Sequence, residues 1–135
     1  MKKLLIVLLI GAITLGTNGH TLHAQKSPGD HLTMAVLYVQ SAAEYRALCY
    51  QAFSTARHSL DSQVQNERPK KPWAIVIDID ETLLDNSPYE ARVITDSIRY
   101  PTGWDEWIRQ AAADPLPGAA DFLNYAASLG VQVFY

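Results

Sequence analysis

Residues 73–86 read Trp-Ala-Ile-Val-Ile-Asp-Ile-Asp-Glu-Thr-Leu-Leu-Asp-Asn. The apolar, β-branched run from Ala74 to Ile77 predicts a buried strand. It stops in two carboxylates, Asp78 and Asp80, with Thr82 two residues further on. A buried strand that delivers paired acids at its C-terminal end is costly unless the acids have chemistry to perform. In open α/β sheets that end is where ligands bind. Strand alternation would aim Asp78 and Asp80 to one side and pack Ile79 into the core. The spacing points to a carboxylate nucleophile with a second carboxyl group close by, around a metal ion.

Downstream, Ser87-Pro88 opens a short helix over Tyr89 to Thr95. Trp104 to Ala113 predicts another helix, closed by Asp114-Pro115. Pro117-Gly118 precedes a third, Ala119 to Leu129, with Gly130 in the position that follows a helix C-terminus. Val131 to Tyr135 reads as a second buried strand. Strand, excursion, helix and strand make a right-handed crossover, so the two strands should run parallel. Two parallel strands leave two open edges, which leads to the expectation that residues 67–135 are the N-terminal part of a larger domain.

Upstream, apolar residues recur at three- and four-residue steps from Leu32 through Val36, Val39 and Ala43 to Leu60 and Val64. This predicts one long helix or two, from Asp30 or His31 to the low 60s, with Asp30 as N-cap. Residues 25–66 are thus a helical segment ahead of the strand, ended by Pro69. Residues 1–24 have the form of a secretory signal: Lys2-Lys3, an apolar stretch from Leu4 to Leu15, then Leu22-His23-Ala24. That stretch is shorter than the ~20 residues of a spanning helix, so cleavage is expected rather than a stable membrane anchor. Cys49 is the single cysteine. No internal disulfide can form, and it is expected to be buried as a small apolar residue.

The chain has 135 residues, 48% of them hydrophobic, enough for one small packed domain and too many for general disorder. A formal charge of −3, with no basic run beyond Arg68-Pro-Lys-Lys71, speaks against a nucleic-acid polymer as partner.

Oxygen donors from acids suit Mg²⁺, which keeps waters and takes one or two carboxylates plus a phosphate oxygen. Beside such an ion Asp78 could attack phosphorus and form an aspartyl-phosphate. Asp80 could protonate the leaving oxygen and then deprotonate the resolving water. Thr82 could hydrogen-bond Asp80 and fix its rotamer. Two rival roles compete for the same acids. Carboxylates after a strand often only cap a turn. A calcium loop would use Asp78, Asp80 and Asp85, but that pattern asks for Asp-Gly where Thr82-Leu83 stand and for flanking helices.

Asp78-Ile-Asp80-Glu-Thr82 matches the Asp-x-Asp-x-Thr motif of the haloacid dehalogenase superfamily. The wider text Asp78 to Tyr89, with Trp104-Asp-Glu-Trp107, Pro117-Gly-Ala119, Phe122-Leu-Asn-Tyr125 and Val133-Phe-Tyr135, resembles the class C acid phosphatases. That family includes lipoprotein 5′-nucleotidases. The helix text from Tyr38 to Gln51 is similar too.

The resemblance implies a haloacid dehalogenase-like, Rossmannoid α/β fold: a parallel sheet with an N-terminal helical segment. It implies Asp78 as nucleophile and Mg²⁺ ligand, and Asp80 as acid/base with its main-chain carbonyl on the metal. Trp104 matches the aromatic that stacks on the substrate; anchoring its helix to the core is an equal alternative. Trp107 is assigned to packing, while Asn86 and Tyr89 are weaker candidates for the pocket wall.

The implied substrates are small phosphomonoesters such as nucleoside monophosphates. The family's remaining motifs are expected beyond Tyr135, which would leave these 135 residues inactive alone. No lipid-accepting cysteine follows the apolar stretch, so a secreted or periplasmic protein is expected. The alternatives are a binding protein of the same fold that has lost catalysis, and a phosphotransferase.

Overall fold

A computed structural model describes residues 28–66 and 71–135. The expected signal peptide over 1–24 and the basic linker from Arg68 to Lys70 lie outside them.

The helical segment is two helices. After a 3₁₀ turn at Asp30–Leu32 come α1 (Thr33–Ser41) and α2 (Ala43–Asn66). Ala42 separates them in an extended conformation, φ −80° and ψ 126°. No Gly or Pro marks this break. Its reason is tertiary: α1 packs on α3 (Ser87–Thr95), while α2 packs on α5 (Ala119–Ser128), and one straight rod does not serve both. Asp30 is not the expected N-cap. It is the first residue of the 3₁₀ turn, and Gly29 precedes it.

The strand at the acidic motif is β1 (Ala74–Val76). It pairs in parallel with β4 (Gln132–Phe134), Ile75 opposite Val133, so the two strands run parallel as the sequence predicts. Its burial is not as expected. The ladder has one covered face: Ile75 and Ile77 pack under α2 and α5, while Val76 is 84% exposed. A second pairing leaves no mark in the sequence pattern. Leu84–Asp85 (β2) runs antiparallel to Asp114–Pro115 (β3), so Asp114-Pro115 does not simply close the preceding helix. That helix, α4 (Trp104–Gln110), is also shorter than expected and ends at Ala111 in the left-handed conformation.

Three packed groups carry the fold. Leu60 of α2 meets Phe122 and Ala126 of α5 and Val131, with Trp73 and Ile75 beside them. Leu83, Leu116 and Ala119 form a second group that draws in Tyr45, Phe53 and Ile77. Tyr89, Val93 and Trp107 form a third between α3 and α4, joined by Leu32 and Trp104.

The entry to α5 depends on Gly118, whose φ of 88° suits glycine; an added Cβ would also sit 3.2 Å from the Tyr50 ring. Across the α2–α5 seam the Tyr125 hydroxyl donates to Asp61, and the Arg57 guanidinium lies 3.7 Å over the Tyr125 ring. The bond to Asp61 holds the Tyr125 proton and raises its pKa. Cys49 is half-buried rather than buried. Burial first, and the adjacent Cys49 thiol second, push the Tyr45 hydroxyl up to about 12.

Candidate active site

The site begins where the sheet ladder ends. The Ile77 amide donates to the Phe134 carbonyl at 3.0 Å, beyond the last paired residue of β1. The chain then folds back within four residues. The amides of Leu83 and Leu84 both donate to the Ile79 carbonyl, at 2.9 and 3.0 Å, and the Glu81 amide donates to the Leu84 carbonyl at 3.1 Å. Glu81 turns the corner in the left-handed region at φ 55°. For a non-glycine residue that conformation costs about 1–2 kcal/mol, which this set of turn bonds offsets.

Asp78 and Asp80 are both exposed to solvent just beyond the C-terminal end of β1. Ile79 does not follow the prediction. It is 39% exposed and not buried in the core, because the ladder has ended and the turn no longer obeys strand alternation. Thr82 does not hold Asp80 either. Asn86 does: its Nδ2 donates to Asp80 Oδ1 at 2.8 Å.

Asn86 is 3% exposed and its own amide oxygen accepts from Trp107 Nε1 at 2.8 Å. Trp107 is buried in the α3–α4 packing group, so the assignment to packing is correct but incomplete. The two bonds form a relay from the core of the α3–α4 layer to the second carboxylate. Tyr89 shares the packing group of Trp107 and is fully buried, with its hydroxyl donating to the Thr102 carbonyl at 3.1 Å.

Asp80 and Asn86 share one cavity with Ile79, Leu84, Trp104 and Trp107, of about 480 Å³ and largely apolar. Trp104 stands between the cavity and the aromatic packing of α3 and α4. It lines the cavity beside Asp80, and it is anchored edge-on to Tyr89 and Tyr100, with ring centroids 5.0 and 5.9 Å away. Asp78 and Thr82 lie outside that cavity wall. The turn is crowded with acids. Desolvation raises the Glu81 carboxyl above its ordinary value; the Asn86 side chain opposes this, and Asp80, Glu90 and Asp85 add to it.

Neither Asp78 nor Asp80 forms an ion pair with a described lysine or arginine. No group of three or more His, Cys, Asp or Glu among the described residues could hold a metal. Asp78 and Asp80 do offer carboxylate oxygens, the donor type that hard cations such as Mg²⁺ accept alongside water.

A parallel β–α–β unit with carboxylates just past the end of its first strand makes this an α/β protein whose acids stand where such folds bind ligands. The particular family follows from comparison. A family model described as HAD superfamily, subfamily IIIB (acid phosphatase) matches residues 7–135. The chain belongs to that family. It is similar to the class C acid phosphatase of Bacillus anthracis with tungstate bound, at 45% identity and a TM-score of 0.77 over 81% of this chain and 46% of that one. A second structure of the Bacillus anthracis enzyme matches at 44% identity and a TM-score of 0.76, over 79% of this chain and 45% of that one. The chain thus spans less than half the length of these relatives.

Proposed function

We propose that the protein to which these residues belong is a Mg²⁺-dependent phosphomonoesterase. Asp78 attacks phosphorus through a carboxylate oxygen, and the phosphorus–oxygen ester bond breaks. Asp80 gives its proton to the departing alcohol. It then takes a proton from water, whose oxygen attacks the aspartyl-phosphate, freeing phosphate and restoring Asp78. Asp78 and the Asp80 carbonyl would hold Mg²⁺, which offsets the charge that repels an anionic nucleophile from a phosphate.

The observation that carries the reading is the unequal support of the two acids. Asp80 is tied to a buried amide at 2.8 Å, as suits a group that must meet the leaving oxygen in one orientation. No such tether from a described residue holds the Asp78 carboxylate, as suits a group that must carry a phosphoryl group and release it. Family membership supports phosphate-ester chemistry. The Bacillus anthracis enzyme binds tungstate, a tetrahedral oxyanion like phosphate, which supports phosphate-ester chemistry in this family.

The apolar cavity beside Asp80 gives the organic part of the ester its place. Trp104 in its wall favours a flat substrate, with nucleoside monophosphates the preferred class, because aromatic stacking tolerates any base. Residues 1–24 act as a cleavable signal and send the protein to the periplasm or the medium.

The test is to quench the full-length protein during turnover of a ³²P-labelled phosphomonoester with Mg²⁺, then reduce with borohydride. Conversion of Asp78 to homoserine supports the reading. Label transferred straight to water, with no modified Asp78, refutes it.

A further inference from the structure

Asn86 stands where asparagine ordinarily caps a helix, immediately before Ser87 at the start of α3. Its backbone does serve the helix: the Asn86 carbonyl accepts from the Tyr89 and Glu90 amides at 2.9 and 3.1 Å. Its side chain makes no cap bond. The Ser87 amide is met instead by Asp85 Oδ1 at 2.8 Å. Asp85 thus does the local work and leaves the Asn86 amide free to face the other way, toward Asp80.

The direction of that amide is set chemically. Trp107 Nε1–H can only donate, so the Asn86 oxygen must face it, and the Asn86 NH₂ must then face Asp80. The reverse orientation would oppose two donors at one end and two acceptors at the other. A buried indole therefore decides which group meets the carboxylate. The torsion that aims a carboxylate is broad when nothing holds it, and Asp80 is otherwise exposed. The bond from Asn86 selects its orientation.

We propose that Asn86 is a positioning residue that aims Asp80 at the leaving oxygen, and that Trp107 is the fixed post on which Asn86 turns. This rests on the role proposed above for Asp80 as proton donor. It adds that the donor is useful only in the orientation Asn86 imposes. The departing alcohol needs a proton in proportion to its basicity. An alkyl phosphate depends on an aimed donor, and 2,4-dinitrophenyl phosphate, whose leaving group departs as a stable anion, does not.

The experiment compares kcat/KM for those two substrates in the full-length protein, for Asn86→Ala, Trp107→Phe and Asp80→Asn. Asn86→Ala is expected to lower kcat/KM on the alkyl ester about 10- to 100-fold, and on the dinitrophenyl ester by less than about threefold. Trp107→Phe keeps an aromatic ring and loses the donor. It should show the same bias at about 3- to 10-fold, and it decides the matter if Asn86→Ala does not fold. Equal losses on both esters, or no loss on either, overturn the proposal, because a merely structural amide would not distinguish leaving groups. Asp80→Asn separates the two readings. If it shows the bias and Asn86→Ala and Trp107→Phe do not, the positioning role alone falls. If it shows none, the donor role of Asp80 falls and the positioning role with it.

Discussion

The seam between α2 and α5 and the turn between β1 and α3 use burial in opposite ways. At the seam, Leu60, Phe122 and Ala126 bury hydrocarbon, and the polar bond from Tyr125 to Asp61 lies at the margin. At the turn, the buried groups are an asparagine amide and an indole N–H, and the carboxylate they serve faces water. Apolar burial is non-directional and yields stability in proportion to area. A buried hydrogen bond contributes little net stability but is strict about direction. One region therefore holds the layers together, and the other holds an orientation.

If that division is right, the two regions respond to mutation in different measurements. The largest effect belongs to Asp78. Replacing it with Asn removes the nucleophile and should lower kcat by more than about 10³-fold, with the unfolding midpoint unchanged, since the side chain is exposed. Phosphate release near the wild-type rate would break the comparison at its catalytic end. Phe122→Ala is the converse. It should lose about 3–5 kcal/mol of stability in urea unfolding, while the fraction still folded keeps its kcat. A fall in kcat of the folded fraction as large as the fall in stability would mean that the seam also shapes the site.

Trp104 belongs to the α3–α4 packing group, edge-on to Tyr89 and Tyr100, and is also open to the cavity of Asp80. Stacking on a base contributes about 1–3 kcal/mol. Trp104→Ala should therefore raise KM for a nucleoside monophosphate about tenfold or more, and change KM for a small aryl phosphate much less. Equal rises on both would make it an anchor of α4 and nothing else.

The same division explains what is legible in the sequence. The β-branched run ahead of Asp78, the Ser87-Pro88 helix start and Gly130 after α5 are local signals, and each is met in the fold. The parallel pairing follows from their order. The break at Ala42 is invisible because it answers to α3 and α5, which lie far along the chain. β2 and β3 are two residues each, too short to show any period. Ile79 escapes the core because alternation holds only as far as the ladder, which ends at Ile77. Of the site, Asp78, Asp80 and Trp104 are legible as chemistry-bearing types. The local pattern points to Thr82 as the tether on Asp80. The tether comes instead from Asn86 and Trp107, the latter 21 residues beyond Asn86. A hydrogen bond between a helix cap and the next helix leaves no periodic trace.

Tyr89 gives the finest test, because it packs in the same buried group as Trp107 and should matter to stability alone. Its hydroxyl donates to the Thr102 carbonyl at 3.1 Å, a bond of about 1 kcal/mol net, so Tyr89→Phe should be less stable by about that amount near pH 7. Burial raises the Tyr89 hydroxyl above the ordinary tyrosine value of 10.0. Above that pH the unfolded chain therefore releases this proton while the folded chain keeps it. The unfolded state then binds fewer protons, so stability falls as pH rises. The contribution of Tyr89 is fully present below about pH 10 and is lost as pH climbs through its folded value. The gap between wild type and Tyr89→Phe should accordingly narrow from about pH 8 to about pH 11 in urea unfolding, even though Tyr45 and Tyr125 bend both curves downward together. A constant gap would mean that the hydroxyl titrates alike in both states, and that the packing group of Trp107 is open to water at Tyr89. The relay would then lack the dry support on which its direction depends.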